Sequence, residues 1–309
     1  MTDSIVDSAF YGLASLVEPF ALPRFGSRPT YPPLFVVGAP RTGTTIVYQH
    51  LLNTFRFGYV CNLADEHAEA PIAYSLLARI RGGYVPTYEN RYGETQGAAG
   101  ASDGWHLFER WFPRYELDRQ IDPTIARELP AVVRGIEAVY GGPFLNKNNH
   151  NSVRVRRLVE LFPDARFIHV SRDQADAALS LARAREENDA SPGEPWSCPA
   201  PQFRRRDYDS QLEHAAYTIV GIEAHLERVL GQIDERNVHR TSYRDFCEEP
   251  DTVVDWVEDS YETEGAGLNV RTDAPEAEFA ASAYESSDRD RARAFVDEAV
   301  GATRSTTTS

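Results

Sequence analysis

The sequence predicts an α/β fold in which a central parallel sheet of the phosphate-loop type is flanked by helices, and three observations predict it. An apolar run, Leu34 to Val37, passes into a glycine-rich turn, after which Ile46, Val47, Leu51 and Leu52 recur at helical spacing. Pro143 to Lys147 and Ala165 to Ser171 are two more strand-like runs with a helical stretch between them, an order that calls for a right-handed crossover and parallel pairing. In sheets of this kind ligands bind beyond the strand carboxyl ends, where Arg41, Lys147 and Arg172 all fall.

The first turn reads Gly38-Ala39-Pro40-Arg41-Thr42-Gly43-Thr44-Thr45. A turn like this aims backbone N–H groups and the positive end of a helix dipole at one point, which suits a phosphate-like anion. In the common phosphate loop a lysine follows the second glycine and reaches the terminal phosphates. Here Thr44 stands in that place and the cation, Arg41, lies three residues earlier. The loop can cradle an anion but lacks the lysine of an ATPase or GTPase.

Taken in order, residues 1–33 carry Phe10, Tyr11, Leu13, Leu16, Val17 and Phe20, a stripe expected to form a helix packed on the domain. As a membrane-surface helix the stripe is poor in cations. Phe57 to Cys61 reads as a second strand, followed by the acidic stretch from Asp65 to Glu69. Residues 82–104 have no sustained periodicity and read as a substrate-facing loop. Tyr84, Tyr88, Tyr92 and the adjoining Trp105 suit sugar rings, and packing beneath the loop accounts for them nearly as well. Asn151 or Ser152 can cap a helix marked by Val155, Leu158 and Val159 and ended before Pro163. Residues 185–206 form a second connection closing on Arg204-Arg205-Arg206, a solvated face that could also draw an anionic acceptor. Leu212 to Ile233 marks a long core helix, and residues 238–250 a strand running into a helix. The domain is expected to span 34–258, followed by an acidic segment, 259–309, with a helix near Asp288 to Val300 and a disordered end.

A formal charge of −15 disfavours nucleic acid and leaves at most peripheral membrane contact. Of 32 cationic side chains all but Lys147 are arginine, and so acidic a surface nearly free of lysine suggests a halophilic cytoplasm. Cys61, Cys198 and Cys247 have neither metal-type spacing nor the makings of a disulfide framework. No stretch approaches the length of a membrane span and the start lacks a signal peptide's basic residues, so a cytoplasmic location is expected.

Pro40 to Thr45, PRTGTT, after an apolar strand resembles the 5′-phosphosulfate loop of sulfotransferases that use 3′-phosphoadenosine-5′-phosphosulfate (PAPS). Arg172, at a strand end, with Ser180 eight residues on resembles the family's 3′-phosphate motif. The resemblance implies the sulfotransferase fold, with PAPS as co-substrate held by Arg41, Thr42, Gly43, Thr44, Thr45, Arg172 and Ser180, and no required metal. Tyr243, in VHRTSYRDFCEEP, matches a tyrosine that packs on adenine in related cytosolic enzymes, and a role closing the sheet edge is equally open. Lys147 resembles the lysine thought to help the bridging oxygen leave. For the general base the resemblance offers Asp103, Glu66 and His150, with Asp65 beside them. His150 follows Lys147 by three residues rather than the two usual in cytosolic members, and Asn149 takes the matching place. The family's C-terminal R-K-G stretch is missing, with Arg271 a possible substitute. These departures lie nearer the bacterial and glycan sulfotransferases and suggest a small-molecule, glycan or glycolipid hydroxyl as acceptor. Two other functions remain open: a nucleoside-triphosphate-dependent kinase, and a PAPS or adenosine-bisphosphate binding protein without catalysis.

Overall fold

Four strands, β1 (Leu34–Val37), β2 (Leu145–Lys147), β3 (Arg166–Ser171) and β4 (Val238–Ser242), form one parallel sheet in the order β2-β1-β3-β4. This computed structural model describes residues 28–90, 95–113, 120–191, 197–204, 206–263, 267–281 and 286–307, with Leu16, Glu18, Gly26, Glu194 and Tyr284. Apart from Leu16 and Glu18, the expected N-terminal helix lies outside the described residues, as do Tyr92 and Arg205.

Both faces of the central strands are covered: β1 is apolar and every residue of it is buried, and the first five residues of β3, Arg166 and His169 included, are buried too. Phe35 packs on Phe144, Phe162 and Phe167, with ring centroids 6.3, 6.0 and 5.7 Å away. Register then aligns the strand ends, with Val36 beside both Lys147 and Ile168. The residues just past β1, β2 and β3 therefore share one edge.

Between these strands run α1 (Thr44–Thr54), α2 (Asn62–Glu66), α3 (Pro71–Ile80), α4 (Trp105–Glu109), α5 (Pro123–Tyr140), α6 (Asn151–Leu161), α7 (Gln174–Glu187) and α8 (Gln211–Leu230). After β4 come α9 (Tyr243–Glu248), α10 (Asp251–Glu262) and α11 (Ser286–Thr307). Among the described residues no helix is long and apolar enough to cross a membrane.

Several expectations are corrected. Phe57 to Cys61 is not a strand: it makes only single bridges, Gly58 to Phe144 just before β2 and Cys61 to Ala101, and Cys61 already stands at the N-terminus of α2. Neither Asn151 nor Ser152 caps α6. The Asn151 side chain donates to Asn146 Oδ1 (2.8 Å), and the Ser152 hydroxyl accepts from the Gly38 amide (3.0 Å) and donates to the Gly38 carbonyl (2.8 Å). Helix α7 continues into the expected 185–206 connection as far as Glu187, and Arg185 is buried there. Burial lowers the affinity of its guanidinium for the proton, but its hydrogen bonds to Gln211 Oε1 (2.6 Å) and the Glu194 carbonyl (2.7 Å) fasten the connection to α8. Arg206 is not a free solvated charge. It pairs with Glu213 (3.0 Å) and Glu298 (3.2 Å) and lies 4.1 Å over the Tyr217 ring, tying α8 to α11. Helix α11 itself runs beyond the expected Val300 to Thr307.

Candidate functional site

The turn after β1 is shaped from behind. Gly38 is clasped by Ser152, and the Ala39 amide donates to the buried Glu223 carboxylate on α8 (3.1 Å). The other Glu223 oxygen lies 2.9 Å from His169 Nε2 on β3. The Thr42 hydroxyl, fully buried, donates to the Ala39 carbonyl (2.8 Å). With the first amides of the turn engaged inward, the open donors are those of the α1 N-terminus, where the leading N–H groups have no intrahelical acceptor. Gly43 caps that helix with φ +97°, and a Cβ there would lie 2.5 Å from the Tyr243 ring.

In front of the turn opens a cavity of about 850 Å³. Arg41, itself in the left-handed region at φ +68°, donates from Nε to Ser180 Oγ (3.0 Å). Arg172 donates to the Arg41 carbonyl (3.2 Å), and its guanidinium lies 4.9 Å over the Tyr243 ring and 6.0 Å over that of Tyr284. Two guanidinium groups, a hydroxyl and a helix N-terminus thus face one place, a donor set matched to a phosphorylated ligand. Asp173 carries this end into α11. Its carboxylate caps α7 and receives Arg293 (2.6 Å), with Arg289 at 3.7 Å. Burial would raise the Asp173 carboxyl, but the Arg293 hydrogen bond, the Asp176 amide and the two arginine charges outweigh it and hold it below the usual carboxylate range.

At the other end Lys147, almost fully buried, places its ammonium 2.8 and 3.0 Å from the two oxygens of Asp103. Asp103 is located by its own backbone, since the side chains of Asn146 and Asn148 each donate to its carbonyl at 3.1 Å. His150 sits edge-on to Trp105, ring centroids 4.5 Å apart. Nearby Tyr48 donates to the Ser102 carbonyl (3.4 Å); burial first, and then the Asp103 charge, push its phenol well above the ordinary value.

Of the residues expected from sequence, Arg41, Gly43, Thr44, Thr45, Asp103, Lys147, His150, Arg172, Ser180 and Tyr243 line this cavity. Thr42 does not, its side chain being turned into the loop. Glu66 is exposed on α2 and contributes nothing to the lining. Asp65 is held by the Ser102 hydroxyl (2.9 Å) and the Leu107 amide (2.9 Å) at the start of α4. Arg271 lies 5.0 Å over the Tyr84 ring and pairs with Asp273, so it does not supply the missing C-terminal contact. Sequence reading passed over Glu223 and Tyr284 and offered Ser152 only as a helix cap; the one visible signal was His169, a polar residue at the centre of a strand. Among the described residues no group of three His, Cys, Asp or Glu could hold a metal ion.

Residues 32–264 match the sulfotransferase family, and the chain belongs to that family. It is similar to the omega-hydroxy-beta-dihydromenaquinone-9 sulfotransferase Stf3 of Mycobacterium bovis and to that of Mycobacterium tuberculosis, 29% identical to each over 164 residues. Those matches cover 46% of this chain and 42% of the relatives, so the chain spans under half of their length. The fold is shared with sulfotransferase STF9 from Mycobacterium avium, with a TM-score of 0.54 and 17% identity over 91% of this chain and 72% of that one. It is shared equally with sulfotransferase STF1 from Mycobacterium tuberculosis, with a TM-score of 0.52 and 17% identity over 91% and 76%.

The bond from Ala39 to Glu223 makes a prediction about the turn. Glu223→Ala, which leaves a buried amide without its acceptor, should lower stability by about 1–3 kcal/mol in urea unfolding, and Glu223→Gln, which still offers an oxygen, by less. Equal losses in the two variants would show that this amide does not depend on the Glu223 oxygen.

Proposed function

We propose that the chain transfers the sulfuryl group of PAPS to an acceptor hydroxyl. The observation that carries this reading is the meeting of the two phosphate motifs, Arg41 against Ser180 and Arg172 against the Arg41 carbonyl, at one end of a cavity whose other end holds Lys147 and Asp103. PAPS supplies the sulfuryl group, and the residues divide the remaining work. Arg172 and Ser180 take the 3′-phosphate, and Tyr243 provides a face for the adenine. Arg41 and the amides at the start of α1 take the 5′-phosphate, whose bond to sulfur breaks as the acceptor oxygen bonds to sulfur. Lys147 places a compact charge with transferable protons at the bridging oxygen.

The acceptor proton goes to Asp103, with His150 the other candidate inside the cavity. In the free protein Lys147 holds both Asp103 oxygens. A donor phosphate gives the ammonium a second anionic partner and leaves the carboxylate able to accept a proton. The acceptor is a hydroxyl on a small molecule or lipid. A carbohydrate acceptor loses part of its support, because Tyr84 turns inward to Asn53 (2.8 Å) and Tyr88 to His50 (2.8 Å) rather than toward the cavity. A kinase has less to recommend it still, with Thr44 in place of the phosphate-loop lysine.

Adenosine 3′,5′-bisphosphate at about a hundredfold excess over its Kd should stabilise the protein by about 2.7 kcal/mol in thermal unfolding. The effect should vanish in Arg172→Ala. Stabilisation by magnesium-ATP instead would reject the PAPS reading. Lys147→Arg should keep the charge yet lose most turnover in a sulfuryl-transfer assay, with bisphosphate binding retained; near-normal kcat would remove the lysine from the chemistry. We also read the acidic, arginine-based composition as adaptation to salt. Tm is then expected to rise steeply from dilute buffer to molar potassium chloride, and a Tm indifferent to salt would refute it.

A further inference from the structure

A second cavity, of about 620 Å³, lies beneath the 82–104 loop at the C-terminal end of α3. It meets the first at Asn90, which lines both and donates to Gln49 Oε1 on α1 (2.9 Å). The two differ in kind. Polar atoms dominate the surface of the first cavity, whereas apolar atoms dominate the second, whose wall includes Ala78, Tyr84, Val85, Ala98 and Ala99.

Glycine widens this wall. Gly82 and Gly97, at φ +135° and +84°, have nothing within 4 Å of where a Cβ would stand. Outside, the surroundings are also apolar. Among the described residues five large hydrophobic side chains are exposed, and three of them, Leu76, Ile80 and Val85, belong to α3 or the loop directly after it. A cluster at one place differs from the scattered apolar residues normal on any surface.

We propose that this second cavity holds the tail of the acceptor, a linear hydrocarbon chain whose terminal hydroxyl reaches past Asn90 to Lys147 and Asp103. The fate of that hydroxyl rests on the sulfuryl-transfer reading; the preference for a hydrocarbon rests on the wall itself. A volume of this size is ordinary for a small-molecule site. The wall also carries polar side chains, Arg81, Thr87, Glu89 and Gln96 among them, but the larger share of its surface is apolar, and there a sugar chain would leave hydroxyl groups without partners where a hydrocarbon has none to lose.

The test is calorimetric titration of the full chain with butan-1-ol, octan-1-ol and dodecan-1-ol, with no donor present. Affinity should rise about fourfold per added methylene until the cavity is filled. Ala98→Trp, at an exposed position of the wall, and Val85→Glu should each abolish that dependence while leaving stabilisation by adenosine 3′,5′-bisphosphate unchanged. Affinity independent of chain length, or a chain-length dependence that survives both substitutions, would overturn the assignment. Alkanol binding of the expected pattern in a protein that the bisphosphate does not stabilise would uphold the cavity and overturn the donor reading instead.

Discussion

The turn at the end of β1 exists because two of its residues have no side chain. A Cβ on Gly38 would run into the Val170 carbonyl of β3, and one on Gly43 would meet Tyr243. The first absence lets the turn lie directly over β3; the second lets β4 and α9 bring an aromatic face against the start of α1. From these two close approaches the remaining geometry follows. Arg41 is swung into a left-handed conformation that a side chain tolerates poorly, and the hydrogen bond to Ser180 and the contact with Arg172 accompany that conformation. The site is an outcome of how tightly three parallel strands can be connected at one edge.

That dependence explains what could be read from sequence. β1 was legible as an unbroken apolar run and β3 as a strand-like one because both faces are covered, and the turn residues that line the first cavity were legible because a turn's chemistry is local. Phe57 to Cys61 misled because aromatic and β-branched residues also suit a buried connection that makes only single bridges. Thr42 and Glu66 lie off the lining of the first cavity for a related reason: residue type and position in a motif do not say which way a side chain turns. The supporting residues were the least legible. Ala39 and Glu223 are separated by 184 positions, and nothing in either neighbourhood announces the other. His169 alone stood out, and its partner could be known only from the packing of α8 on the sheet.

Lys147 gains meaning from its surroundings as much as from its rarity. The paired side chains of Asn146 and Asn148 grip the Asp103 carbonyl, so the 82–104 loop is anchored to the end of β2 by its backbone as well as by the ion pair. A buried ammonium left alone would be costly, and the bidentate carboxylate offsets much of that cost. The same loop is attached at many further points, among them Asn90 to Gln49 on α1, Tyr84 to Asn53, and the carbonyls of Thr95, Gly97 and Ala99, which accept from the side chains of Asn62 and Tyr59. Between these points Gly82 and Gly97 face open space, and the second cavity meets the first at Asn90.

Helix α11 has an implication for how the molecule is made. All four strands are complete by Ser242, yet Arg289 and Arg293 clasp Asp173, next to Arg172, and Tyr284 covers the same guanidinium. During vectorial synthesis the sheet and its phosphate turn can assemble while these last residues are still within the ribosome. The nascent domain would then have a scaffold before the corner around Arg172 is closed. The corner around Arg172 is thus completed by α11 and the segment before it and not by the sheet alone.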